Sequence, residues 1–127
     1  MLILTLYYKM LCPYIFYFIY KAKSCKLVHI YKKASNGEIQ DINAELSSLS
    51  KALNKRADLL GIHHDKKFRN LNGMKMMYQN VVYVATNGKQ GLSAVSHAIY
   101  AVYDMSQKSP DVFEMLLTEF NDRYHGN

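Results

Sequence analysis

Residues 41–60 read DINAELSSLSKALNKRADLL, and their apolar spacing decides the fold class. Ile42, Leu46, Leu49 and Leu53 follow at steps of four, three and four, and Leu60 closes the same stripe. That is the period of an α-helix with one buried face. Acidic Asp41 and Glu45 stand near its start, while Lys51, Lys55 and Arg56 come later, the order a helix dipole favours. Gly61 is the natural stop. The spacing predicts a helix over Asp41–Leu60.

The chain beyond it continues in the same period. Ile62 to Leu71, IHHDKKFRNL, reads as a basic loop. Asn72 is the expected cap of a helix from Gly73 to about Tyr83, with Met74, Met77, Tyr78 and Val81 inward and Lys75, Met76 and Gln79 pointing elsewhere. Val81-Val82-Tyr83-Val84 is β-branched, so a short strand is a rival there. Thr86 to Gly91 is a turn. Ser93 is expected to cap a helix running to Lys108, with Val95, Ile99, Val102 and Tyr103 inward. Ser109-Pro110 opens the last helix, with proline at its first position and Phe113, Leu116, Leu117, Phe120 and Tyr124 on its apolar face.

The chain has 127 residues, half of them apolar and a fifth charged, which is one globular domain. Two cysteines, Cys12 and Cys25, cannot staple a secreted scaffold, and there is no CxxC pair for structural zinc. The net charge of +6 is unevenly placed. Residues 1–33 hold six lysines and no acid; residues 34–127 hold ten bases and ten acids, which cancel. The high isoelectric point therefore describes only the first quarter of the chain and does not imply nucleic-acid binding.

Met1 to Tyr20 is apolar at seventeen of twenty positions. Three readings compete. A membrane anchor fits the length, about 30 Å as a helix, but Lys9 near its middle and Pro13 oppose it. A soluble first helix over Leu2–Leu11, followed by a core strand or second buried helix over Tyr14–Tyr20, is the second. The third is a bland one, a composition of Tyr, Ile, Phe and Lys that an AT-rich reading frame produces. The segment 1–33 and the helical domain 34–127 are separated at the Ser35-Asn36-Gly37 turn.

Candidate chemistry is sparse. His63-His64-Asp65 invites a metal, but adjacent histidines project in different directions, and a solvated loop is the simpler account. His29, His97 and His125 are isolated. Asn87 to Ser93 lacks the GK[ST] order of a P-loop, although Gly91 beside a helix start could present backbone N–H groups to a phosphate. The cations Lys66, Lys67 and Arg69 precede a helix that offers Lys75 and Gln79. In a helix-turn-helix, loop cations hold phosphates while the second helix presents polar side chains to base edges.

The stretch Lys67–Ser96, KFRNLNGMKMMYQNVVYVATNGKQGLSAVS, carries a family likeness. It resembles the domain found ahead of the HNH nuclease domain in McrA-like, 5-methylcytosine-specific bacterial restriction endonucleases. The matching residues are Phe68-Arg69-Asn70, Gly73 to Met77, Asn80, and Gly88 to Ser93 with Ser96. The helix ELSSLSKALNKRADLLGI is similar to that domain's leucine-serine helix, and LTLYYKML to its first helix. The HNH elements themselves are missing from this sequence, so the resemblance implies no nuclease chemistry. Residues 12–33 match nothing in the pattern.

The expectation is thus a mainly α protein, a compact helical bundle with a helix-turn-helix or Myb-like core and short strands admitted near 14–31 and 81–84. The resemblance implies a non-catalytic, cofactor-free and cytoplasmic module that binds duplex DNA in restriction or phage defence, working with a separately encoded HNH nuclease or surviving as a remnant of a longer gene. Lys66, Lys67, Arg69 and Lys89 would meet phosphates, Asn72, Lys75 and Gln79 would face the groove, and Gly91 and Ser93 would form a phosphate cradle at a helix start. The alternative is a helical protein-interaction domain, anchored to the inner membrane through residues 1–20.

Overall fold

The structure, a computed structural model, describes the backbone of residues 14–61 and 70–124 and the side chains of residues 22–61 and 70–122. It consists of helices α1 (Tyr14–Ser35), α2 (Ile42–Leu59), α3 (Leu71–Ala85), α4 (His97–Lys108) and α5 (Pro110–Tyr124). No strand occurs among the described residues, so the helical class holds. The two places where strands were admitted, 14–31 and 81–84, are both helical. In α3, Val81 is fully buried on the side that also buries Met74 and Tyr78, and this packing overrides the weak local preference of β-branched residues.

Helix α1 packs against each of the other four. Among those four, α2 packs on α3, α3 on α4, α4 on α5 and α5 on α2, while α2 and α4, and α3 and α5, do not touch. The four outer helices therefore close a ring around α1. The sequence of α1 explains its place. Ala22, Ser24, Cys25, Lys26, Leu27, Val28 and Ile30 are all buried, which covers every side of the helix, and a helix buried all round belongs in the interior. Each outer helix buries one stripe only: Leu46, Leu49 and Leu53 on α2; Met74, Tyr78 and Val81 on α3; Ile99, Val102 and Met105 on α4; Phe113, Leu116, Leu117 and Phe120 on α5. The residues that matched no motif thus hold the centre of the bundle.

Helix ends follow local chemistry. Asp41 caps α2, its side chain accepting from the Ala44 N–H at 3.0 Å. Gly61, at φ 71°, ends it. Leu60 is the C-cap residue and is half exposed, so it does not close the buried stripe as expected. Proline starts α5 at its first position. Leu2–Leu11 lies outside the described residues. Among the described residues no helix is long and apolar enough to cross a membrane.

Candidate nucleic-acid interface

Helix α3 begins two residues earlier than its sequence suggested. Asn70, not Asn72, is the cap, and its side-chain oxygen accepts from the Gly73 N–H at 2.9 Å. Either asparagine could cap. The choice of Asn70 brings Leu71 into the first turn, where it packs against the core. Asn72 instead lies in that turn with its side chain exposed.

Asn72, Lys75, Met76 and Gln79 form one exposed stripe along α3, opposite buried Met74, Tyr78 and Val81. The side chains of Asn72, Lys75 and Gln79 make no hydrogen bond or ion pair with a described residue. Lys66, Lys67 and Arg69 lie outside the described residues, as do His63, His64 and Asp65. Residues 66–103 contain five Lys and Arg and no acid, so no carboxylate from this span can pair with Lys75 or Lys89. Lys89 is exposed in the turn beyond the far end of α3. The end of α3 at Ala85 lies about 15 Å along the axis from Lys75.

The proposed phosphate cradle is not at a helix start. Helix α4 begins at His97, with Ser96 as its N-cap, and not at Ser93. The reason lies in α3. The Leu92 N–H donates to Gln79 O at 3.1 Å, and Asn80 Nδ2 donates to Leu92 O at 2.9 Å. These two bonds tie the connecting chain across α3 and hold it out of helical conformation. Gly91 makes the crossing possible. It sits at φ 90°, and a Cβ there would come within 2.3 Å of Gln79 O and 2.6 Å of Tyr83 N. Ser93 is exposed in the connection that follows.

The exit from α3 is equally local. Asn87 takes φ 54°, the Gly88 N–H donates to Tyr83 O at 2.8 Å, and the Asn87 N–H donates to Val84 O at 3.3 Å. The Thr86 hydroxyl donates to Val82 O at 2.8 Å and accepts from the Gln90 N–H at 3.1 Å. So Asn70, Gly73, Asn80, Gly91 and Leu92, all within the motif, bond to or closely approach α3 itself. The first two turns of α3, which follow Lys66, Lys67 and Arg69 in the sequence, are left open, and the Gln79 side chain is exposed beside the crossing. The connection between α2 and α3 runs over residues 60–70, longer than the turn of about three or four residues in a tight helix-turn-helix.

The sequence reading did not anticipate a second polar group. Lys26 on α1 is buried, and its Nζ donates to Asn121 Oδ1 of α5 at 2.6 Å. Burial, reinforced by the nearby charge of Lys33 and partly offset by Glu45, pushes its pKa down to about 8. Burial, with the charges of Lys26 and Lys33, pushes His29 down to about 4. A helical projection of residues 14–35 would have shown the three bases on one side. The rival strand and anchor readings of that segment hid them.

Cys25 is a free, buried thiol whose pKa burial pushes up to about 12, which removes it as a nucleophile. Among the described residues no group of three His, Cys, Asp or Glu could hold a metal ion. No protein-family model matches this chain, and neither does any curated protein or solved structure. The likeness to the HNH-associated domain rests on its motifs alone.

Proposed function

We propose that this protein is a non-catalytic DNA-binding module, related to the domain that precedes the HNH nuclease in McrA-like restriction endonucleases and serving restriction or phage defence. The observation that carries the reading is the exposed stripe of α3. It presents Asn72, Lys75 and Gln79 to solvent with no protein partner among the described residues, in a span of sequence without acids. Groove-reading helices commonly use their N-terminal residues on base edges while flanking cations hold phosphates. Lys66, Lys67 and Arg69 immediately precede this end. Lys89 would reach a separate phosphate. Gly91 and Ser93 take no part in contacting DNA in this reading; their segment braces the helix.

The test is duplex binding at several salt concentrations. With about four to six phosphates neutralised, log affinity falls against log salt with a slope of roughly −4 to −5. Lys75→Ala and Arg69→Ala each weaken binding. Lys75→Ala leaves stability within about 0.5 kcal/mol of the parent, because the side chain is exposed. No binding in low salt, or full binding by both variants, rejects the reading.

A second reading, a helical protein-interaction domain, draws on Met76 and Leu92, which are 62% and 45% exposed. Binding of a protein but no duplex would favour it. Detergent-dependent extraction from membranes would add anchorage through residues 1–20.

A further inference from the structure

Lys26, His29 and Lys33 follow at steps of three and four, so they share one side of α1. Lys26 is 4% exposed. Its Nζ bonds Asn121 and lies 5.7 Å from the centre of the Phe120 ring, both on α5. From α2, the charge of Glu45 reaches it without an ion pair closing between them. Helices α2 and α5 pack on each other, so the stripe runs beneath their seam. The charges that bear on His29 are those of Lys26 and Lys33, and those that bear on Lys26 are Lys33 and Glu45.

The donors of this stripe are under-used. An ammonium has three protons to give, and among the described residues only Asn121 takes one from Lys26. The His29 ring and the Lys33 ammonium, both half-buried, have no hydrogen-bond or ion-pair partner among the described residues. Buried polar groups are normally satisfied, and buried cations normally paired. Here the charge of Lys33 bears on both Lys26 and His29, and the Glu45 carboxylate that offsets it at Lys26 closes no ion pair there. A compact oxyanion supplies what is missing: several acceptor oxygens on one centre, and negative charge that turns mutual repulsion into attraction.

We propose that Lys26, His29 and Lys33 form a binding site for one oxyanion of the phosphate class, seated beneath the seam of α2 and α5. The site is distinct from the α3 surface, because Lys26 is buried against α5 whereas Asn72, Lys75 and Gln79 are exposed on α3. The phosphate could be free or part of a nucleic-acid backbone, and the experiment separates these sources.

The full chain in chloride buffer is titrated with inorganic phosphate at constant ionic strength, following the His29 ring signals by NMR and the thermal midpoint. Bound anion favours the protonated ring, so the apparent pKa of His29 rises saturably, and the midpoint rises with it. Lys33→Met weakens the phosphate response about tenfold or more, the worth of one charge-assisted hydrogen bond. Lys75→Ala leaves it unchanged. Lys33 is half-buried near the end of α1, so its variant retains the fold, and Lys26→Met provides a second, length-matched variant that loses the response. If phosphate acts no differently from chloride, or Lys33→Met responds as the parent does, the site does not exist. A short duplex that moves the His29 signals where inorganic phosphate does not would overturn the small-anion site and assign the cations to a polymer backbone.

Discussion

At the scale of single residues, two glycines with the same backbone requirement separate two kinds of constraint. Gly61 and Gly91 both have positive φ, at 71° and 90°. A Cβ at Gly61 would meet nothing within 4 Å, whereas at Gly91 it would run into the backbone of α3 at Gln79 and Tyr83. Gly61→Ala therefore costs only the left-handed backbone penalty, about 1 kcal/mol. Gly91→Ala adds a clash with backbone that cannot rotate away, and its cost is about 3 kcal/mol or more. Chemical denaturation of the two variants checks the difference; equal losses would mean that the connection does not cross α3 as described. The glycine taken for a phosphate cradle is thereby explained without a ligand. It brings the Leu92 amide and carbonyl within reach of Gln79 and Asn80, and those bonds hold the connection in place.

At the scale of elements, the α3 cap gives a sharp comparison. Asn70 accepts from the Gly73 N–H, and the Asn72 side chain bonds nothing described. Asn70→Ala should cost about 1 kcal/mol, while Asn72→Ala should be close to neutral for stability; reversed effects in urea titrations would move the start of α3 to Asn72. Helix α2 was legible because a clean stripe, an acidic cap and a terminal glycine agree there. Helix α5 was legible because Pro110 fixes its start. The inward and outward sides of α3 were legible from spacing alone. Its start was not, because two asparagines in reach of each other offer equivalent caps. The start of α4 was hidden for another reason: Ser93 is a competent cap, and only the long-range bonds from α3 keep it from being used. Helix α1 was least legible. A helix buried on all sides shows no single apolar stripe, so its pattern cannot be told from that of a strand or a membrane segment by periodicity. Its lysines looked like the flank of an anchor, yet Lys26 is buried, and Lys32 donates to Gln107 Oε1 at 3.2 Å. For the candidate interface, residue type and exposure at Lys75 and Gln79 could be read ahead; the cradle could not, since it depended on where α4 begins.

At the scale of the whole molecule, a ring of four helices closed on a central one ties stability to what that central helix must tolerate, and α1 tolerates two bases poorly. His29 titrates near 4 in the fold against an ordinary 6.5, lowered first by burial and then by Lys26 and Lys33. The unfolded chain thus binds more protons between these values, so the contribution of His29 is complete above pH 6.5 and is lost as pH falls toward 4. Lys26 titrates near 8 against an ordinary 10.5, again lowered first by burial. The same sign applies: its contribution is complete above 10.5 and is lost as pH falls toward 8. Stability should therefore climb in two steps, one from pH 4 to 6.5 and one beginning above pH 8. Tyr78 acts in the opposite sense at the alkaline end. Burial raises its pKa above 10, so its contribution is lost once the pH exceeds the ordinary value; burial likewise raises the Cys25 thiol from 9 to about 12, so its contribution is lost from pH 9 upward, and the Lys26 step is best read between pH 8 and 9. Lys26→Met keeps the length of the side chain and removes the charge that burial penalises. It should be more stable than the parent at pH 7 and show no climb above pH 8, since the Asn121 amide it abandons is only half-buried and can turn to water. His29→Gln should flatten the acid step and leave the alkaline one. Urea midpoints across pH 4 to 9, in chloride buffers free of multivalent oxyanions, measure the acid step and the onset of the alkaline one; a parent profile without the climb between pH 8 and 9 would place the Lys26 ammonium in water and take α1 out of the centre of the ring.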